Sequence, residues 1–148
     1  MSSVKHAAFI NVPAETVFAK LLEVEAAPAW MVGLEEVHDV TGRHVGDSFA
    51  WTFKMAGKLT FHGRTTFAAI EPARHLREEG RGDLTNTWSW WLEPQQSGTQ
   101  VRVQVEYTVP GGALIGGILD KLFVERQNQK DLEQSLSNLK QLLEGSRP

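Results

Sequence analysis

The 148-residue sequence contains no cysteine. This absence excludes disulfide bonds, thiolate metal sites and cysteine nucleophiles, and it is compatible with a reducing cytoplasm. The N-terminal residues contain no long apolar run behind a basic start, so we expect no signal peptide. The most apolar stretch, residues 111–123, is too short to cross a bilayer and contains an Asp–Lys pair. We therefore expect a cytoplasmic protein without stable membrane insertion.

Basic residues are few and scattered: 15 Lys and Arg stand against 18 Asp and Glu, which gives a net charge of −3. Proteins that bind nucleic acid normally carry a basic face, so we expect no nucleic-acid partner. The histidines lie far apart, and none forms the i, i+4 pair of a helical metal site. Neither a G-x-S-x-G nucleophile motif nor a phosphate-binding glycine loop is present. The sequence therefore predicts no metal ion and no cofactor, and small molecules or proteins are the expected partners.

Residue periodicity predicts a strand, two short helices, six strands and one long helix. A first strand at 4–12 precedes Pro13, after which apolar residues recur at helical spacing, and a second short helix interrupted by Pro28 ends near Trp30. Alternating apolar and polar residues then predict strands at 34–42, 47–55, 59–70, 75–82, 86–94 and 101–109.

The C-terminal part of the chain follows a helical pattern instead. Apolar residues from Ile115 to Leu143 recur at the spacing of one amphipathic helix, which Gly145 and Pro148 close. Consecutive strands with short turns form an antiparallel sheet, and this helix is the one element large enough to cover its apolar face. The predicted fold is α+β: a curved antiparallel seven-stranded sheet wrapped around a long C-terminal helix, in a single domain of residues 1–148. Because such a sheet rarely closes tightly on a straight helix, we expect a cavity between them.

Three tryptophans lie within four positions of the strand that reads NTWSWWLEP. Strand alternation places Asn86, Trp88 and Trp90 on the inner face and Trp91 on the outer face. The same inner face is expected to carry large rings from other strands: Trp51, Phe53, Phe61, Phe67 and Tyr107. This surplus of rings favours a cavity wall, for which a dry aromatic core is the alternative. Trp91 is expected at a sheet edge or in the interface of a homodimer.

Several segments, in a fixed order, have the pattern of a known superfamily. They are VPAETVFAKLLEVEAAPAW at 12–30, VGDSFAWTF, the E-P-x-R turn of FAAIEPARHLREEG, SGTQVRVQVEYTVPGG and LDKLFVERQNQKDLEQSLSNLKQLLE. With them the chain resembles the SRPBCC superfamily, which includes START domains, birch-pollen-allergen-like proteins and bacterial polyketide cyclase/dehydrase-like proteins. The resemblance implies a helix-grip fold with a deep hydrophobic cavity for lipids, polyketides, sterols or quinones. It implies no particular reaction, since members include carriers, cyclases and hydrolases.

A hydrophobic small molecule, bound between the sheet and the C-terminal helix, is therefore the expected partner. The predicted ligand-binding residues are Trp51, Phe53, Phe61, Thr65, Phe67, Asn86, Trp88, Trp90, Tyr107, Ile115, Ile118 and Leu122. The glycine-rich run at 111–117 is either a flexible entrance or a simple connection into the helix. A polar stretch of the helix forms either the polar end of the cavity or a solvated segment: Glu125, Arg126, Gln129 and Lys130.

Catalysis is left open by the sequence. A polyketide cyclase or dehydratase of this kind would use neither a metal nor a covalent nucleophile, and its acid or base would come from Glu78, Tyr107 or His38. Burial of Glu78 among aromatic rings would raise its pKa and suit it to proton transfer. Two other hypotheses are a lipid or quinone chaperone that docks on membranes through residues 114–118, and a partner of another protein that binds through Trp91.

Overall fold

The computed structural model describes residues 2–55, 57, 59–108 and 121–145. Strand β1 (Ser2–Ile10) is followed by helix α1 (Ala14–Leu22) and a 3₁₀ helix (Val24–Ala29). The other elements are β2 (Leu34–His38), β3 (Ser48–Met55), β4 (Leu59–Glu71), β5 (His75–Gly82), β6 (Thr85–Gln95), β7 (Gly98–Thr108) and helix α2 (Lys121–Gly145). The predicted order of these elements is confirmed.

The seven strands form one antiparallel sheet in the order β1-β7-β6-β5-β4-β3-β2. Strands β2 to β7 pair with their neighbours in sequence, whereas β1 pairs with the last strand, from Ser2 opposite Tyr107 to Ile10 opposite Thr99. The α+β fold with a curved seven-stranded antiparallel sheet and a C-terminal helix is therefore confirmed. No helix in the described part of the chain combines the length and hydropathy needed to span a membrane.

Helix α2 runs along the edge strand β1, and its side chains form hydrogen bonds with backbone groups of Lys5 and Phe9. The Gln129 side-chain amide donates to the Lys5 carbonyl oxygen at 2.8 Å and accepts from the Lys5 N–H at 3.4 Å. Further along the helix, the Lys140 ammonium donates to the Phe9 carbonyl oxygen at 2.7 Å. Side chains of α2 thus occupy an edge that would otherwise be free to pair with another strand, and they fix the helix relative to the sheet.

The apolar stripe of α2 lies in the core as its spacing predicts. Its buried leucines, each at most 4% exposed, are Leu132, Leu136, Leu139 and Leu143. The segment between the 3₁₀ helix and β2 is tied to the same helix, because Asn138 donates to the Trp30 carbonyl oxygen at 3.1 Å and Ser135 accepts from the Val32 N–H at 2.9 Å. Residues 30–32 are therefore held against α2 by hydrogen bonds as well as by packing.

Several element boundaries differ from the predictions, and in two segments the physical reason is clear. β2 ends at His38 and not at residue 42, because Asp39 adopts a left-handed φ of 53° and turns the chain. The second short helix is a 3₁₀ helix, whose short run tolerates Pro28. The predicted turn at 56–58, apart from Gly57, and the helical positions at 115–119 lie outside the described residues.

Trp91 lies on the outer face, but its expected place at a sheet edge is wrong. β6 lies between β5 and β7, so both of its edges are paired. The Trp91 ring stacks on the His75 ring at 5.4 Å, and the Arg102 guanidinium lies 5.5 Å from its centre. Neighbouring side chains of the same sheet therefore hold this indole.

Candidate functional site

A cavity of about 120 Å³ lies between the sheet and the helices. One water needs roughly 10–15 Å³, so the space is far larger than a packing defect. All seven strands, α1, the 3₁₀ segment and α2 contribute lining residues. The curved sheet therefore does not close tightly on its terminal helix.

Three tryptophans form a cluster in the wall of this cavity. The rings of Trp88 and Trp90 stack with centres 6.0 Å apart, and Trp30 meets Trp90 edge to face, also at 6.0 Å. Trp88 and Trp90 share the inner face of β6, as the alternation predicts, whereas Trp30 follows the 3₁₀ helix. These indoles border open space as well as one another.

Two glycines on the inner face allow large or polar side chains to lie close to the sheet. A Cβ atom at Gly63 would lie 2.6 Å from Cη2 of Trp51, and one at Gly80 would lie 2.6 Å from Oδ1 of Asn86. The Trp51 indole N–H donates to the hydroxyl of Thr65 at 2.8 Å. The missing Cβ atoms therefore determine how the Trp51 ring and the Asn86 amide sit in the cavity wall.

One cross-strand row and α2 contribute most of the polar residues of the wall. Thr65, Gly80, Asn86 and Tyr107 lie opposite one another on successive strands, which places them on one face. Asn128 on α2 lies beside the Tyr107 hydroxyl. Burial raises the pKa of Tyr107 above its ordinary value, so the phenol stays protonated at neutral pH.

Some polar atoms in this region have no hydrogen-bond partner. Among the described residues, the buried side-chain atoms without one are Trp30 Nε1, Tyr107 Oη and Asn128 Nδ2. All three belong to residues that line the cavity. An unsatisfied buried group costs about 1–3 kcal/mol, so their concentration at one cavity is a feature of the site rather than of the fold.

Glu78 lies in the adjacent cross-strand row, between Phe67 on β4 and Trp88 on β6. The residue is partly buried and borders the cavity. Burial raises the pKa of Glu78 from 4.5 to about 8, although a hydrogen bond from the Trp90 side chain opposes the shift. The carboxyl is therefore mostly protonated at pH 7 and exchanges a proton close to neutrality.

Many of the residues predicted from the sequence border this cavity. They are Trp51, Phe53, Thr65, Glu78, Asn86, Trp88, Trp90 and Tyr107. Their convergence follows from strand alternation, since each lies on the inner face of its strand. Whether they contact a ligand is a proposal taken up below.

Other predicted residues lie elsewhere. Phe61 and Phe67 are buried but do not line the cavity. Phe67 packs against the ring of Phe49, and Phe61 is paired with Phe53. Phe49 and Phe53 border the cavity in their place. Leu122 is about half exposed, at 49%, and does not border it either. Ile115 and Ile118, like the rest of the proposed membrane-docking segment, lie outside the described residues.

His38 does not reach the cavity and is not a candidate acid or base there. It pairs with Ala50, whose side chain points away from the inner face that carries Trp51. Its ring lies instead beside the carboxylates of Glu36, on the same strand, at 3.3 Å and of Asp39, just after the strand, at 3.7 Å. The register shift between Leu34 and Glu36 explains why simple alternation does not extend along β2.

The polar stretch of α2 does not form the polar end of the cavity. Glu125 accepts a hydrogen bond from the Ser2 hydroxyl at 2.7 Å, Gln129 binds the β1 backbone, and Arg126 and Lys130 are exposed. The helix instead contributes the following polar residues to the cavity: Asn128, Asp131 and Ser135. They share a face with Leu132 at helical spacing, but this spacing alone does not show whether that face meets solvent or the cavity.

Charge in the cavity is of one sign. The described lining residues include the acids Glu78 and Asp131 but no Lys, Arg or His. Within the described part of the chain, no three His, Cys, Asp or Glu side chains converge as ligands for a metal ion. The arrangement can therefore enclose an apolar molecule, donate hydrogen bonds to it and exchange a proton with it.

A second, more open depression of about 490 Å³ lies next to the cavity. Trp30, Met31, Leu34 and Asp131 border both spaces. Residues 30–34 thus form part of a partition between the inner cavity and the protein surface.

The sequence matches the family model of polyketide cyclase / dehydrase and lipid transport over residues 1–144. Similar solved structures include a protein from Thermus thermophilus, with 21% identity, a TM-score of 0.81 and 99% of each chain covered. The Zhui aromatase/cyclase from a Streptomyces species has 16% identity and a TM-score of 0.75 over 96% of this chain and 93% of that one. A START superfamily protein from Mycobacterium smegmatis has 15% identity and a TM-score of 0.77 over 99% and 100%. No curated protein matches the sequence significantly.

Proposed function

The chain belongs to the family of polyketide cyclases, dehydrases and lipid-transport proteins, and from this premise we propose that it binds a hydrophobic, aromatic or polyketide-like small molecule in its cavity. The resemblance to the SRPBCC superfamily is confirmed by the family match and by the START and aromatase/cyclase structures. At these identities the structural similarity supports the fold, while the ligand and its site are inferred from the cavity itself.

One observation carries the proposal: the tryptophan cluster borders a cavity and does not form a closed core. Removal of apolar surface from water contributes about 25 cal/mol per Å², and stacking between aromatic rings adds to it. A few polar groups among an apolar lining are the usual composition of a small-molecule site, where they fix the orientation of the ligand. Trp30, Trp88 and Trp90 supply the stacking surface, and Tyr107 and Asn128 supply the polar groups.

Filling the cavity tests this proposal directly. Ala27 is buried, at 7% exposed, and lines the cavity from the 3₁₀ helix. In the Ala27→Phe variant the new ring occupies ligand space, so we expect the affinity for the neutral dye Nile red, measured by its fluorescence, to fall at least about tenfold. Ala19→Phe, at an exposed position of α1 outside the cavity, is the matched control and should bind Nile red as the unmodified protein does. Equal binding by both variants would place the dye elsewhere and contradict the proposal.

A second candidate function is a cyclase or dehydratase that uses Glu78 as its acid or base. The specific observation in its favour is that this carboxyl, with a pKa raised to about 8 by burial, borders the cavity. Such a group can donate its proton to a leaving hydroxyl, or take one from the carbon next to a carbonyl, near neutral pH. It requires neither a metal nor a covalent nucleophile.

Turnover by Glu78→Gln separates the enzyme from a carrier. With a linear poly-β-ketone as the probe, we expect this variant to form cyclised or dehydrated product at least about a hundredfold more slowly than the unmodified protein. Glu79→Gln is the control, since Glu79 lies on the opposite face of the same strand and pairs with Arg77 at 3.0 Å. Unchanged turnover in Glu78→Gln would remove Glu78 from the chemistry, while the binding function would stand.

A further inference from the structure

The unpaired polar atoms of the cavity wall have a common chemical character. Trp30 Nε1 and Asn128 Nδ2 are donors only, and the Tyr107 hydroxyl is a donor with acceptor capacity. Trp30 and Tyr107 are more than nine-tenths buried, at 3% and 5% exposed, so bulk water does not reach them. Each unmet donor costs free energy until an acceptor comes within reach. The unpaired atoms of the wall can therefore donate to a ligand that carries hydrogen-bond acceptors.

The neighbours of these donors define the same preference. The Tyr107 hydroxyl lies near the side chains of Asn128 and Ser2, but neither this hydroxyl nor the Asn128 amide nitrogen has a partner with good hydrogen-bond geometry. Trp30 packs on Trp90. Trp90 lies four positions along β6 from Asn86, which is opposite Tyr107 on β7. Four strand residues span about 13 Å, so donors face the cavity from two separate regions of its wall.

The charges of the lining exclude one class of ligand. A carboxylate that enters an apolar cavity loses its hydration, and this loss is offset only by a cation or a full set of donors. The described lining residues contain no cation, and Glu78 and Asp131 are acids. A fatty acid or an aromatic carboxylate would thus bring a negative charge next to the acidic Asp131, with no cation of the described lining to offset it.

Building on the proposed function, we propose that the cavity selects neutral aromatic ketones or quinones and discriminates against carboxylates of the same size. One carbonyl oxygen of the ligand accepts from the Tyr107 hydroxyl and the Asn128 amide, and a second accepts from the Trp30 indole N–H. The fused rings of the ligand stack on the indoles. Glu78 in its protonated form is a further donor to such a ligand. The donors of the wall, rather than its apolar area, then set the choice among hydrophobic compounds.

Four compounds with one ring system test this selectivity by equilibrium dialysis at pH 7. They are anthracene, 9,10-anthraquinone, anthraquinone-2-carboxylate and anthraquinone-2-carboxamide, the last a neutral control of the carboxylate's size. We expect the quinone and the carboxamide to bind at least about tenfold more tightly than anthracene and the carboxylate. Equal affinities, or tightest binding of the carboxylate, would overturn the selectivity while the binding function stands. If none of the four binds and Nile red does not bind either, the proposed function itself is wrong.

Variants assign the selectivity to the donors. Tyr107→Phe and Asn128→Leu keep the shape of the side chain but remove a donor, so each should weaken anthraquinone binding about fivefold or more and leave anthracene binding unchanged. Gln141→Leu, an equivalent change at an exposed position of α2 that does not line the cavity, should alter neither. A parallel loss of anthracene binding would indicate a change of packing, and an unchanged affinity for anthraquinone in both variants would contradict the proposed role of these donors.

Discussion

Replacement of Glu78 with Gln is expected to stabilise the protein by about 3 kcal/mol at pH 9 and to change its stability little at pH 4.5. Burial of the carboxyl raises its pKa in the folded state to about 8, compared with 4.5 as the ordinary value. The folded protein therefore holds a proton that the unfolded chain has lost, and stability falls as the pH rises from about 4.5 to about 8. Glutamine has no charge to desolvate, so the variant does not lose this stability.

The expected size follows from the gap between the two pKa values. Such a gap corresponds to about 5 kcal/mol as an upper bound, since each pKa unit is about 1.4 kcal/mol. Glu78 borders the cavity and retains some accessible surface, which lowers the cost of its charged form. The other titratable groups of the described lining are Asp131 and Tyr107. Burial raises the pKa of Tyr107, so this phenol stays neutral through most of the range.

Urea unfolding at several pH values measures the effect, with Glu79→Gln as the control. Glu79 forms an exposed ion pair with Arg77, and such pairs contribute at most about 1 kcal/mol. We therefore expect the Glu79→Gln variant to follow the pH profile of the unmodified protein. If Glu78→Gln differs from the unmodified protein by the same amount at pH 4.5 and pH 9, the carboxyl does not have a raised pKa. Its proposed role as an acid or base near neutral pH would then be wrong.

The sheet side of the cavity could be predicted from the sequence because strand alternation is a local property. Once Trp88 and Trp90 are assigned to the inner face of β6, the antiparallel register places Glu78 opposite Trp88 and Tyr107 opposite Asn86. The order of seven strands and a terminal helix follows from short turns and from the change of period after residue 110. These features depend on neighbouring residues and need no knowledge of distant contacts.

The helix side could not be predicted in the same way. Asn128 and Asp131 interrupt an apolar stripe, and only the rotation of α2 about its axis decides whether they face solvent or the cavity. Hydrogen bonds between Gln129 and the β1 backbone fix that rotation, and they join residues more than 120 positions apart. Trp30 could not be assigned to the wall because it follows an irregular 3₁₀ segment with no useful period. A register shift in β2 places His38 on the outer face, which strand alternation alone does not indicate.

The second large effect is expected from a single added methyl group. Gly63→Ala should lower the free energy of unfolding by about 3–4 kcal/mol, measured by urea denaturation. The new Cβ atom would lie 2.6 Å from Cη2 of Trp51 and 2.7 Å from the Arg81 carbonyl oxygen. Trp51 is buried and its N–H binds Thr65, so displacement of the ring costs packing and leaves a buried donor without its partner. The same displacement changes the cavity wall, so weaker Nile red binding should accompany the loss of stability.

Two further variants distinguish this steric account from a general intolerance of alanine. A Cβ atom at Gly145 would meet no heavy atom within 4 Å, so Gly145→Ala should change stability by less than about 1 kcal/mol. Trp51→Leu should lower the free energy of unfolding of the Gly63→Ala variant less than it lowers that of the unmodified protein. The expected difference is about 1 kcal/mol or more, because the smaller side chain removes part of the clash. Contact with Arg81 remains in the double variant, so the rescue is partial. If the two changes in the free energy of unfolding are strictly additive, the effect of Gly63→Ala does not depend on the Trp51 ring. The close approach of this ring to the sheet would then not be the reason why position 63 requires glycine.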